Sequence, residues 1–258
     1  ITWLGNGVKA GTNGSATYSS GNFAGGIFFV QVTDTAIETS KTFTITDTAT
    51  GRYGTVSLSW TQNSVLDHFD ISAIQSPQTA GTPFQVTITA KNSLNETLLS
   101  YTTAATLSDT TNSITPKTTG SFVNGVWTGN VTLTSMTTDT KITATAGLIS
   151  VASNSIVVNP GAFSKLSVFQ QPSSSSMAGT VFAQQPKVSI NDAYGNLISN
   201  DNNTLVSASR GSIGTAVLQG TLTAKAVNGI ATFTNLSYNK AEILNINFSS
   251  GSATTTES

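Results

Sequence analysis

The chain has 258 residues, 38% of them hydrophobic and only 9% charged, with a formal net charge of −1 and no cysteine. That apolar content supports packed cores, while the scattered Lys and Arg lack the clustering a phosphate backbone demands, so nucleic acid is excluded as a partner. The absent thiols exclude disulfides and thiolate metal sites, and the longest apolar run, Ile27-Phe28-Phe29-Val30, is far short of the roughly 20 residues of a helical membrane span.

From the N-terminus, the first strand signal is Gly26-Ile27-Phe28 leading into Gln31-Val32-Thr33, followed by a later strand at Phe43-Thr44-Ile45-Thr46. The short polar stretch Gln62-Asn63-Ser64 reads as a joint between modules. Beyond it, Ala80-Gly81-Thr82-Pro83 precedes Phe84, Val86, Ile88 and Ala90, whose period of two marks a half-buried strand. Asn124-Gly125-Val126-Trp127 then leads into Asn130-Val131-Thr132-Leu133. Asn-Gly signals a hairpin because both residues tolerate positive φ. Trp127 shares a strand face with Val131 and Leu133, which predicts a core position, and its counterpart Phe28 shares one with Val30 and Val32. Lys141-Ile142-Thr143-Ala144 is a late strand, and Asn159-Pro160-Gly161 a second joint.

The order then starts again. Ser176-Met177-Ala178-Gly179-Thr180-Val181-Phe182 repeats the earlier turn, Val188 and Ile190 repeat the alternation, and Asn228-Gly229-Ile230-Ala231 repeats the hairpin ahead of Asn245-Ile246-Asn247-Phe248. Landmarks recurring at about 98–104 residues divide the chain into units 1–64, 65–160 and 161–258. With no capped helical periodicity, the expected fold is all-β: tandem immunoglobulin-like antiparallel β-sandwiches with Greek-key connections. Unit 1–64 reads as a partial domain without its N-terminal strands. Unit 161–258 reads as one without a last strand equivalent to Ser155-Ile156-Val157-Val158.

Phe169-Gln170-Gln171-Pro172, Ala178-Gly179-Thr180 and Val188-Ser189-Ile190-Asn191-Asp192-Ala193-Tyr194-Gly195-Asn196 resemble bacterial and archaeal immunoglobulin-like repeats. Asn228-Gly229-Ile230-Ala231-Thr232-Phe233 and the matching segments near Gly81 and Gly125 are similar to the same family. Such repeats occur in surface-layer proteins, invasin- and intimin-like adhesins and other exported surface proteins. The resemblance implies sandwiches in a tandem stalk or lattice, and it implies no reaction.

Few residues invite chemistry. His68, the single histidine, sits in Asp67-His68-Phe69-Asp70 and reads as a solvated residue near a joint, since a triad or a zinc site needs partners that the sequence does not supply. No paired carboxylates mark a catalytic cleft, and no catalysis is expected. Asp192 and Asp201, in the Asn-rich segments Asn191-Asp192 and Asn200-Asp201-Asn202-Asn203, are candidate calcium ligands, with ordinary Asx turns as the alternative. No other cofactor is expected. Six Asn-x-Ser/Thr sequons occur, of which Asn95 and Asn202 are the loop-like candidates for glycosylation. The expected function is therefore non-catalytic and structural: part of a surface layer, sheath or extracellular filament outside the cell. Partners would be copies of itself, meeting through domain joints and strand edges, including donor-strand complementation. The alternative is the stalk of an adhesin whose binding domain lies elsewhere, and a third reading is a glycan-binding module using Trp3 or Tyr18.

Overall fold

The computed structural model describes residues 65–257 continuously and, before them, the backbone of five strands. Phe28, Tyr18 and the side chains of Trp3 and Trp60 lie outside the described residues. The chain divides into two bodies, 1–65 and 66–258. In the first, Thr2–Gly5 pairs antiparallel with both Val8–Ala10 and Val30–Thr33, and Glu38–Thr46 pairs antiparallel with Tyr53–Trp60. Every regular element among the described residues is a strand.

The second body holds two hydrophobic cores in succession, one drawn from residues 66–158 and one from 163–253. In the first sandwich, His68–Ile71, Phe84–Lys91 and Val126–Val131 form an antiparallel sheet with Phe84–Lys91 in the middle. Thr106–Asp109, Ile142–Ala146 and Ile149–Ala152 form a second, and Thr137–Thr140, Ile156–Asn159 and Gln78–Thr79 a third. Alternation along Phe84–Lys91 puts Val86, Ile88 and Ala90 in the core while Thr87 and Thr89 turn outward. Opposite Ile88 stands Trp127, which is 9% exposed and lies over Gly129, where a Cβ would collide with the indole. Phe69, Tyr101 and Phe122 fill one end, the Tyr101 and Phe122 rings edge-on with centroids 5.1 Å apart.

In the second sandwich a seven-stranded row runs from Lys165–Gln170 through Lys187–Asn191, Ile230–Thr232, Thr223–Val227, Leu205–Arg210 and Ile246–Ser250 to Ala253–Glu257. The row curls until its first and last strands lie against each other. Leu218–Gln219 pairs with Ser237–Tyr238 apart from it. Val188, Ile190, Val206, Phe233 and Phe248 fill this core.

The two sandwiches repeat one another in detail. Asn124 and Gly125 have φ of 50° and 74°, Asn228 and Gly229 have 51° and 77°, and each pair closes a tight hairpin as the sequence predicts. The Gly125 N-to-C path passes so close to the Leu98 carbonyl that a Cβ would clash, and Gly229 stands in the same relation to Ile198. The Gly125 carbonyl accepts from the Ala90 N–H and that of Gly229 from the Ile190 N–H, both at 2.8 Å.

Candidate interface between consecutive sandwiches

The polar residues that the fold concentrates lie in a five-residue turn that both sandwiches build. In the first, Asn92 Oδ1 accepts the N–H groups of Leu94 (3.0 Å) and Glu96 (2.9 Å), while its amide donates to Glu96 Oε2 at 2.8 Å. Short Asx side chains reach their own following backbone in this way, which is why they nucleate turns. The fourth residue takes a left-handed φ: Asn95 at 63° and Gly195 at 93°. In the second sandwich, Asp192 Oδ1 accepts from Tyr194 N–H and Asn196 N–H, both at 2.9 Å.

What differs is the use of Asp192 Oδ2. It accepts the Gly161 N–H at 2.9 Å and the Asn196 side-chain amide at 2.7 Å, so the carboxylate ties its own turn to the connection between the sandwiches. Asn196 extends the tie, its amide donating to the Thr134 carbonyl at 2.8 Å and its Oδ1 accepting the Met136 N–H at 2.9 Å. Tyr194, at the tip, lays its ring over Gly81, whose φ is 79°. The first sandwich thus contributes Gly81, Thr134 and Met136, the connection contributes Gly161, and the second sandwich contributes Asp192, Tyr194 and Asn196.

Asp192 is 1% exposed, and a buried charge is tolerable only when hydrogen-bonded. Burial pushes its carboxyl upward, but the donors from Asn196, Gly161 and Tyr194 outweigh it and hold the group below the ordinary aspartate value. A carboxylate offers about four lone-pair positions, and four donors already take them here. A calcium ion at Asp192 would have to displace those donors. Asp201 is likewise engaged in its own turn, accepting from Asn203 N–H and Thr204 N–H at 2.8 and 2.9 Å and from the Thr204 hydroxyl at 2.5 Å. Among the described residues, no three of His, Cys, Asp and Glu gather to hold a metal. Asp192 therefore acts as a structural acceptor, a role that the Asx-turn alternative anticipates only in part.

The remaining candidates sit apart from this interface. His68 Nδ1 lies 2.8 Å from Asp67 Oδ2 and its Nε2 3.3 Å from Asn95 Oδ1. The Asp67 hydrogen bond raises its pKa, with burial acting in the opposite direction. Asn95 is exposed at its turn, and Asn202 is exposed but accepts from Asn228 N–H and donates to the Asn200 carbonyl. Glu242 gathers Tyr238 Oη (2.5 Å), Thr215 N–H (2.6 Å) and Lys240 (3.0 Å), and the first two hold its carboxyl far below the usual range.

Gly81→Ala and Gly179→Ala form a matched pair that weighs the Tyr194 contact. Both glycines have left-handed φ, 79° and 83°, and alanine at either costs about 1–2 kcal/mol of backbone strain. At Gly81 the added methyl also drives into the Tyr194 ring, whereas above Gly179 nothing lies within 4 Å. Urea unfolding is expected to show Gly81→Ala costing about 1 kcal/mol or more beyond Gly179→Ala. Equal losses would mean that Tyr194 is not seated there.

Two antiparallel sandwiches in tandem, each with its own core and joined by a hydrogen-bonded Asx turn, define a protein of the immunoglobulin-like repeat class of fold. No family model and no curated protein matches the chain. Among solved structures it is similar to domains 5-6 of the S-layer protein SbsC, at 17% identity and a TM-score of 0.30, over 76% of this chain and 97% of that one. It is similar also to the Yersinia pseudotuberculosis adhesin InvE, at 13% identity and a TM-score of 0.36, over 76% of this chain and 60% of that one, less than two thirds of its length. A third is InvD of Yersinia pseudotuberculosis, at 15% identity and a TM-score of 0.39, over 98% of this chain and 84% of that one.

Proposed function

We propose that this chain is a non-catalytic structural repeat protein of the cell surface, part of a surface layer, sheath or extracellular filament. The observation that carries the reading is the joint itself. Pro160 and Gly161 leave a connection too short to act as a free tether, and Asp192, Asn196 and Tyr194 then fasten the second sandwich to the first. A joint so fastened transmits orientation from one sandwich to the next, which is the property a load-bearing or lattice-forming array needs. The low charge and hydroxyl-rich surface agree with an exterior location. Copies of the chain would meet through joints and strand edges.

Electron microscopy of the purified protein tests this: ordered sheets or fibres are expected, with antibody labelling of intact cells placing the protein outside. Particles that stay monomeric at all concentrations, with no surface labelling, would overturn it. The same joint suits the stalk of an adhesin, which also needs stiffness. Monomeric particles together with surface labelling would favour that second reading.

A further inference from the structure

One seam of the first sandwich differs from all its others. Ile156–Asn159, which leads into the connection to the second sandwich, runs parallel to Gln78–Thr79, with Val158 beside Gln78 and Asn159 beside Thr79. Every other strand pair of this sandwich is antiparallel. As a strand the parallel pairing is two residues long, yet hydrogen bonds continue it on both sides. The Ala80 N–H donates to the Asn159 carbonyl at 2.8 Å. Ser76 Oγ accepts the Val157 N–H at 2.9 Å. Asn154 closes the far end with its side chain, Oδ1 accepting the Ile74 N–H at 2.8 Å and Nδ2 donating to the Ile74 carbonyl at 3.0 Å.

Ile74, Ser76, Gln78 and Ala80 are alternate residues, the spacing at which a parallel ladder bonds its neighbour. The Asn154 amide and the Ser76 hydroxyl therefore take the place of backbone groups, and they lengthen a short pairing into a seam of 74–80 against 154–159. Ile74, Ala80, Ile156 and Val158 are buried on its inner side, which keeps water from that face of the bonds. The seam also has a particular place in the chain. Segment 74–80 follows the opening strand His68–Ile71, and 154–159 is the last of the sandwich. Tension along the chain pulls the first segment toward residue 65 and the second toward residue 161. In parallel segments those pulls oppose each other along one axis. The bonds are then loaded side by side, in shear, and have to break together.

We propose that this seam is a tension clamp, which carries force along the chain through the first sandwich. The inference rests on reading the chain as part of a surface array, since the array supplies the force. Forced unfolding is set by the rate of crossing the barrier and not by equilibrium stability, so a few bonds loaded together outweigh a larger number loaded in turn. Asn154 and Ser76 set the strength of the clamp although both are exposed and neither belongs to the core.

The test is single-molecule pulling of the whole chain from two pairs of attachment points. The chain has no cysteine of its own, so introduced cysteines define where it is held. Val65→Cys with Asn159→Cys loads the seam in shear. Thr82→Cys with Asn159→Cys opens the same seam from its Ala80 end, one bond after another, because the Ala80 N–H meets the Asn159 carbonyl there. All three positions are exposed. A higher rupture force is expected from the first pair than from the second. Asn154→Ala and Ser76→Ala are each expected to raise the unfolding rate at fixed force about tenfold in the shear geometry, with little change in the other. Ser76→Ala removes one acceptor from an exposed hydroxyl, so the test stands even where Asn154→Ala weakens folding. Equal rupture forces from the two pairs, or variants that act equally in both geometries or in neither, overturn the proposal. Such a result leaves the surface-array reading in place, because microscopy and cell labelling decide that separately.

Discussion

Trp127→Ala lowers the stability of the first sandwich by about 3–5 kcal/mol, a shift of tens of degrees in its melting temperature. The indole stands across from Ile88 of the sheet's central strand, and its fit depends on two glycines: the ring lies over Gly129, and its Nε1 faces Gly120. Truncation therefore opens a void whose walls are strand backbone, and paired strands collapse poorly into a void. The second core shares no buried residue with the first, so its own transition is expected to stay in place. Differential scanning calorimetry with both transitions resolved checks this, and an unmoved first transition would show that the indole is not packed as described.

The second large effect comes from Asp192. Asp192→Ala leaves the Gly161, Tyr194 and Asn196 N–H groups short of their acceptor in a buried place, and is expected to cost about 3 kcal/mol. A finer test uses the first sandwich as template. There Asn92 and Glu96 build the same turn with charge and amide exchanged. The double variant Asp192→Asn, Asn196→Glu is therefore expected to keep the turn but lose the joint, because an amide donor then faces the Gly161 N–H and a carboxylate faces the Thr134 carbonyl. Amide exchange should speed up at Gly161 and Met136 while Tyr194 stays protected. Unchanged exchange at Gly161 and Met136 would mean that the joint does not depend on this pair.

The same carboxylate sets an acid dependence. Its folded value lies below the ordinary 3.8, so its contribution is complete above the ordinary value and is lost as pH falls through the lowered one. Asp109 and Asp201 are lowered for the same kind of reason, burial opposed and outweighed by turn hydrogen bonds, and also weaken the fold in acid. The difference in unfolding free energy between wild type and the double variant should therefore shrink as pH drops below about 4. A difference independent of pH would remove Asp192 from the account.

Much of this architecture was legible in the residues. Alternation at Val86, Ile88 and Ala90, the Asn-Gly pairs at 124 and 228, and the parity linking Trp127 to Val131 and Leu133 are local signals, because strand period and turn φ are set by neighbours in sequence. Asp192 was marked by its Asx-rich surroundings, as a candidate calcium ligand or an ordinary Asx turn. Its partner Gly161 and the Thr134 and Met136 partners of Asn196 lie outside its loop, and nothing local announces that Oδ2 points at a linker amide. Gly81 was read as a turn residue, and its second role, making room for a ring 113 positions away, follows from the separation of Gly81 and Tyr194 and has no sequence signature.

By itself the sequence determined the strands, the tight turns, the repeat spacing and the apolar faces, since each depends on the order of residues within one strand or turn. The tertiary structure alone decided which polar groups meet across the joint. Two turns of like sequence, at Asn92 and at Asp192, differ in what reaches them from distant parts of the chain, and hydrogen bonds of that kind depend on position in space and on the exclusion of water.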